Sequence, residues 1–213
     1  MRKVIEVPYI DQTQNWPTGC ESVSSVMLLQ ALGFSVTVDE FIRDHLPMMP
    51  MGDGTGPDPD SYFAGSPYDP ESFGCYPGVI VKALNSFFQA KSGSPAEAAP
   101  AITPRWQALD ATGISTQQLL REQIDNGLPV LYWSCIDLKP SYRGPWWTLP
   151  DGTRFEWTSN EHCMLLVGYD TDKDTLIFND PWDGHGVVDY DRDLVEQRHR
   201  EQKERAVIVR RAN

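Results

Sequence analysis

Apolar positions in the first part of the chain recur at helical spacing. Val23, Val26, Met27, Leu29 and the Ala31–Leu32 pair mark a run from Ser22 that Gly33 stops, which predicts a buried amphipathic helix with Cys20 in its first turn. Thr37-x-x-Glu40 has the form of a capping box and predicts a short helix from Val38 to Asp44, ended by Pro47. Val79 to Ala90 predicts a further helix, and Ser115-x-x-Gln118 opens one to Asn126 that Gly127 closes. The last third changes period. Pro129–Ile136, Glu161–Tyr169, Thr175–Asn179 and Arg205–Arg210 predict strands, as does Lys3–Pro8, and the turn-rich Asp170–Asp174 joins two of them as a hairpin. Helices first and strands last predict an α+β domain, residues 1–213, with helices packed on an antiparallel sheet.

Between these elements lie polar and aromatic stretches. Asp11–Gly19 predicts a loop that delivers the chain to the Cys20 helix, and Lys91–Pro104 a surface loop rich in Ala, Pro and Ser. Met48–Pro77 is dense in Gly, Pro, Asp and Ser yet carries Tyr62, Phe63, Tyr68, Phe73 and Tyr76, so it is expected to pack down as a wall. With Lys139–Trp157, which holds Trp146 and Trp147, it is expected to frame a cleft. Asp53, Asp58 and Asp60 invite a calcium reading, but their spacing lacks an EF-hand's ligand pattern and closing glutamate.

Composition narrows the function. Thirty acidic against 18 basic residues give a formal charge of −12, the wrong sign for a nucleic-acid or anionic-membrane binder. No apolar run has signal-peptide or membrane-spanning length, so a cytoplasmic location is expected, export remaining open through a trimmed segment. Cys20, Cys75, Cys135 and Cys163 are widely spread with no Cys-x-x-Cys pair, which reads as reduced thiols with no structural zinc; neither a metal nor a cofactor is expected.

A thiol at a helix start sees unpaired backbone N–H groups and the positive end of the helix dipole, which favour thiolate. Cys20 therefore reads as a nucleophile ionised near neutral pH, or equally as a small buried hydrophobe. A nucleophile needs a base and something to orient that base. Of four histidines, His45 precedes a proline turn, His185 lies between glycines and His199 sits in a charged run. His162 opens an apolar strand whose alternation sends Cys163 to the opposite face as a core residue. Hairpin pairing would bring Asp180 close enough to fix the His162 tautomer; the alternative is that Asp180 caps a turn before Pro181.

Val7-Pro8-Tyr9-Ile10-Asp11-Gln12, Pro17-Thr18-Gly19-Cys20-Glu21, Phe73-Gly74-Cys75-Tyr76, Gly127-Leu128-Pro129-Val130, Glu161-His162-Cys163 through Val167-Gly168-Tyr169-Asp170, and Asn179-Asp180-Pro181 occur in this order. They resemble stand-alone members of cysteine-peptidase family thirty-nine, papain-like relatives of the bacteriocin-processing peptidases. The resemblance implies a papain-like fold, Cys20 as nucleophile, His162 as base then acid, Asp180 as orienter, and a glutamine before the cysteine as oxyanion donor. Gln14 stands six residues before Cys20, a spacing similar to papain's, whereas Gln12 closes the family's block and is the choice made here. Leader cleavage is not carried over, because members that cut after paired glycines are fused to membrane transporters and this chain shows no span. The expected function is a thiol hydrolase acting on a peptide or amide. Its rivals are a papain-like acyl or peptidyl transferase and a silent peptide-binding module.

Overall fold

The structure, a computed structural model, describes residues 1–92 and 105–212. Most of the predicted Lys91–Pro104 loop lies outside the described residues. The elements in chain order are β1 (Arg2–Val4), α1 (Cys20–Ala31), α2 (Val38–His45), β2 (Met48–Met49), β3 (Phe63–Ala64), α3 (Pro77–Ser92), β4 (Trp106–Asp110) and α4 (Thr116–Glu122). They continue with β5 (Val130–Cys135), β6 (Tyr142–Thr148), β7 (Arg154–Ser159), β8 (Glu161–Asp170), β9 (Thr175–Asp180), β10 (Gly186–Asp191), α5 (Arg192–Glu201) and β11 (Ala206–Arg211).

One seven-stranded sheet runs β10-β9-β8-β5-β11-β4, with β1 also paired to β8, and every one of its pairings is antiparallel. Alternation along β8 divides the core in two. Cys163, Leu165 and Val167 turn to the face covered by α1 and α3, while Met164 and Leu166 turn to the face holding Phe178 and Val195 of α5. Cys163 is thus the core residue its strand position predicts.

Helix α1 differs from its sequence reading. It is buried from Cys20 through Leu29, serines included, so it is a central helix and not an amphipathic one. Ser24 donates to the Cys163 carbonyl at 3.1 Å and Ser25 to the Glu21 carbonyl at 2.6 Å, which lets these two small polar residues sit in the core with their hydroxyls satisfied, whereas the Ser22 hydroxyl has no partner among the described residues. The capping box forms as predicted, Thr37 accepting from the Glu40 amide and Glu40 accepting from the Thr37 amide at 2.8 Å. The predicted helix from Ser115 to Asn126 is broken at Gln123 into α4 and a single 3-10 turn, and Gly127 ends it in the left-handed region at φ 76°.

The order of helices first and strands last does not hold throughout. Strands β4, β6, β7 and β10 and helix α5 carry no clear periodic signal, and the predicted closing strand Arg205–Arg210 lies inside the sheet between β5 and β4. Long-range pairing accounts for β4, which completes a ladder on the remote β11 and so places β11 inside the sheet, while β10 extends the sheet edge on its neighbour β9.

Strand β1 is shorter than the predicted Lys3–Pro8 and lies beside β8, continuing the flank that β5 covers as far as Leu166. The crossing is tight at Gly168, where a Cβ would stand 2.1 Å from the Lys3 carbonyl oxygen. No side chain fits there without moving backbone. Gly168→Val should lower stability by about 1–3 kcal/mol, read as a lower urea midpoint at unchanged slope; an unshifted midpoint would show that β1 moves aside freely.

Candidate active site

Hairpin β8–β9 builds the first half of the site. Its register pairs Leu165 with Asn179, so His162 and Asp180 lie diagonally across the strands at the sheet end. His162 Nε2 meets Asp180 Oδ1 at 2.7 Å, with both side chains 1% exposed. The carboxylate is held from all sides: Oδ1 also accepts from the Trp182 amide at 3.0 Å, and Oδ2 meets Tyr190 Oη at 2.6 Å and His185 Nδ1 at 3.2 Å. The turn-capping role and the His162 contact therefore coexist. Burial opposes the charged form of Asp180, but the His162 charge and these hydrogen bonds outweigh it and hold the carboxyl well below the usual range. With Nε2–H donating to an ionised carboxylate, the imidazole presents the Nδ1 lone pair on its other side. Trp182 stands edge-on to the ring, with centroids 6.2 Å apart.

The second half comes from the α1 start. Gly19 occupies the N-cap without a side-chain hydrogen bond, and Cys20 follows, 5% exposed. A Cβ on Gly19 would meet Trp16 Cβ at 2.8 Å, so the turn that presents Cys20 closes only with glycine. The expected acidic thiol is not what this environment makes. Burial, then the neighbouring acids Glu21 and Glu161, push the Cys20 thiol well up, and the Cys163 backbone N–H opposes them only in part. Desolvation and like charge exceed what a helix terminus supplies. Among the described residues the Cys20 sulfur makes no hydrogen bond to His162; it donates to Glu21 Oε2 at 3.3 Å.

Glu21 and Glu161 belong to the site although sequence reasoning named them only inside resemblance blocks and gave them no role. Glu21 Oε1 accepts from the Cys75 backbone N–H at 2.6 Å, and burial raises its carboxyl to about 7. Glu161 is driven well up by burial and by Glu21. Single side-chain atoms of Cys20, Glu21 and Glu161 all lie within 4.8 Å of one another, so these three residues form one buried cluster. Tyr190 and His185, which surround Asp180, were also missed. Neither carries a local signal, and β10 brings them in by pairing with β9.

Gln12 is buried at 2% exposure and its backbone N–H bonds the Pro181 carbonyl at 2.9 Å, which ties it to the residue after Asp180. Its Nε2 donates to the Pro17 carbonyl at 3.2 Å, whereas Gln14 is exposed. The remaining histidines are structural. His199 is buried against Tyr132 at 3.7 Å between centroids, bonds the Trp133 carbonyl at 2.6 Å and is pushed down to about 4 by burial, and His45 meets Ser86 Oγ at 3.0 Å.

The two aromatic segments pack on each other. Lys139–Trp157 contains most of the β6–β7 hairpin, whose Trp147 donates Nε1–H to the Pro57 carbonyl at 2.8 Å, and Trp157 stacks on Tyr76 at 5.2 Å. Thr18 Oγ1 donates to the Ser66 and Asp69 carbonyls at 3.1 and 3.0 Å, joining this wall to the loop before Cys20. A cavity of about 430 Å³ opens between Met49–Gly56 and Thr148–Pro150, within the wall and lined by none of the candidate site residues.

Residues 4–207 match the peptidase C39-like family. The fold is similar to the crystal structure of a C39-like peptidase from Bacillus anthracis, with TM-score 0.81 and 23% identity over 100% of this chain and 99% of that one. It is also similar to a double glycine motif protease from an AMS/PCAT transporter, in complex with the leader peptide, with TM-score 0.55 and 13% identity over 100% and 99% of the two chains. The chain has no match among curated proteins.

Two outcomes follow from this geometry. A carboxyl depressed by folding stabilises the fold above its unfolded value and loses that contribution as pH falls. The stability margin of wild type over Asp180→Asn should therefore be full above about pH 5 and shrink below about pH 4, measured by urea unfolding across pH; a constant margin would mean that folding does not depress the Asp180 carboxyl. Second, iodoacetamide should label Cys20 before Cys75, Cys135 and Cys163, by access and not by low pKa, since those three are 1% exposed or less. Mass mapping of partially labelled protein reads the order.

Proposed function

The chain belongs to the peptidase C39-like family and is a cysteine peptidase-like hydrolase, and on that premise we propose that it cleaves a peptide or amide bond through Cys20, His162 and Asp180. The observation that carries the reading is the buried 2.7 Å pair of His162 and Asp180, with His162 near enough to Glu21, the residue after Cys20, to act on its charge. His162 Nδ1 takes the thiol proton as sulfur attacks the carbonyl carbon. The tetrahedral oxyanion is met by the Cys20 backbone N–H and by Gln12, whose second Nε2 hydrogen remains beyond the bond to Pro17. His162 returns the proton to the leaving amine, and water, activated by the same imidazole, releases the acyl group from sulfur. Asp180 keeps the ring oriented and stays ionised throughout.

An extended peptide is the substrate shape that fits this reading, lying between the α1 start and the aromatic wall. The structural neighbour in complex with its leader peptide supports a peptide ligand on this fold, and among the described residues no helix is long and apolar enough to cross a membrane.

Purified protein profiled against a mixed peptide library tests the reading by mass spectrometry. Cys20→Ala and His162→Ala should abolish turnover, while Asp180→Ala retains a measurable part. Gln12→Ala should lower kcat by roughly a hundred- to a thousand-fold without slowing Cys20 alkylation, which develops no oxyanion, and Gln14→Ala should leave both unchanged. Turnover surviving in Cys20→Ala would overturn the assignment.

A further inference from the structure

A carboxylate opposes the anion that a nucleophilic thiol must become, yet Glu21 receives the Cys20 hydrogen. The contact is 3.3 Å to Oε2, and the other oxygen is anchored by the Cys75 amide at 2.6 Å. Gly74 makes the anchor possible, since a Cβ there would stand 2.5 Å from Glu21 Oε1 and 3.4 Å from Glu161 Oε2. Glu161 lies in the same buried cluster, and its Oε1 has no hydrogen-bond partner among the described residues. The titratable groups facing Glu21 are Cys20, Cys75, Cys163, Glu161 and His162. The cation Arg205 acts on Glu161 and lies over the Tyr76 ring at 3.3 Å.

We infer that Glu21 is a positioning residue that holds Cys20 in a resting thiol state, bonded away from His162, and so sets the reactivity of the sulfur. The inference rests on the proposed nucleophilic role of Cys20 for its meaning in turnover. Activation is an exchange of partners. The S–H leaves Glu21 Oε2 and turns to His162 Nδ1, which takes the proton while the sulfur lone pair forms the new S–C bond. Glu21 keeps the Cys75 amide, so the Gly74–Cys75 segment stays in place while the thiol turns.

Glu21→Gln separates the charge from the shape. Its amide oxygen still accepts from Cys75, and its N–H₂ offers the sulfur a donor where an accepting carboxyl oxygen stood. Iodoacetamide should label Cys20 in this variant at least about tenfold faster at pH 7, and the profile of labelling rate against pH should move to lower pH, with thermal unfolding close to wild type. Glu161→Gln leaves the sulfur its Glu21 contact and replaces an acid that burial and Glu21 already drive toward its neutral form, so it should label at close to the wild-type rate. Wild-type or slower labelling of a folded Glu21→Gln overturns the inference, as does equal acceleration by Glu161→Gln; if Glu21→Gln does not fold, Glu21→Asp, whose shorter side chain withdraws the carboxyl from the sulfur, takes its place, and an unchanged rate there overturns it. Labelling requires no cleavage, so faster labelling in a protein without peptidase turnover leaves the Glu21 role standing and removes the proposed activity. Turnover that depends on Cys20, with labelling indifferent to Glu21, does the reverse.

Discussion

Strand β8 is buried along all ten of its residues, so its backbone groups depend on protein partners, which the sheet supplies along most of its length and α1 supplies at Cys163. β5 pairs with its first part, β1 with its last, and β9 covers the other flank from Leu165 onward. Each constraint limits the others. A one-residue slip of β9 would turn Phe178 out of one core half and carry Asp180 to the wrong face. Thus the hydrophobic ladder that holds the sheet together also holds His162 against Asp180, on backbone and not on long flexible side chains. Gly168 is where this arrangement is least tolerant, since β1 can complete the flank only where a side chain is missing.

Three buried carboxyl groups show how partners decide the effect of burial. Desolvation acts against charge at Asp180, Glu21 and Glu161 alike. Asp180 meets four hydrogen-bonding groups, His162 among them, and stays ionised. Glu21 has the Cys75 amide and a weakly donating thiol, and Glu161 leaves one oxygen unpartnered, so both shift upward. The imidazole is consequently backed by fixed negative charge, while the thiol sits over acids that resist a second anion. Transfer of the thiol proton to His162 relieves this opposition by creating a cation beside them, which ties the sulfur's ionisation to the histidine more tightly than a helix terminus alone would.

The aromatic wall extends the same economy to an irregular region. Trp147, Trp157 and Tyr76 form a buried cluster with Ala64, and Trp147 reaches the Pro57 carbonyl, so the long segment after α2 is held by the β6–β7 hairpin in place of a regular ladder of its own. Its attachment through Thr18 then places it beside the turn that presents Cys20. Core burial at this density stabilises a loop by roughly 1.5–3 kcal/mol per large side chain, which suffices to order a segment with only two-residue strands.

Much of this protein was legible in local pattern. Helix α1 and its stop, the Thr37 capping box, the end of the α4 region at Gly127, and strands β5, β8, β9 and β11 follow from periodicity and turn chemistry, which are properties of neighbouring residues. The blocks around Cys20, His162 and Asp180 likewise pointed to a thiol hydrolase fold. What sequence reasoning could not supply depends on residues far apart in the chain. Strand β4 exists because β11 offers it a ladder, and α1 is buried all round because a sheet and two helices close over it. Tyr190 and His185 are near Asp180 in sequence, but it takes the turn after Asp180 and the β9–β10 pairing to aim them at its carboxylate. The state of Cys20 is the clearest case: a helix start alone predicts an acidic thiol, and the opposite result comes from burial, from the adjacent Glu21 and from Glu161, which lies 141 positions away in the sequence and 4.8 Å or less away in the fold. Electrostatics in a low-dielectric interior is a sum over spatial neighbours, and only the tertiary structure says which neighbours those are.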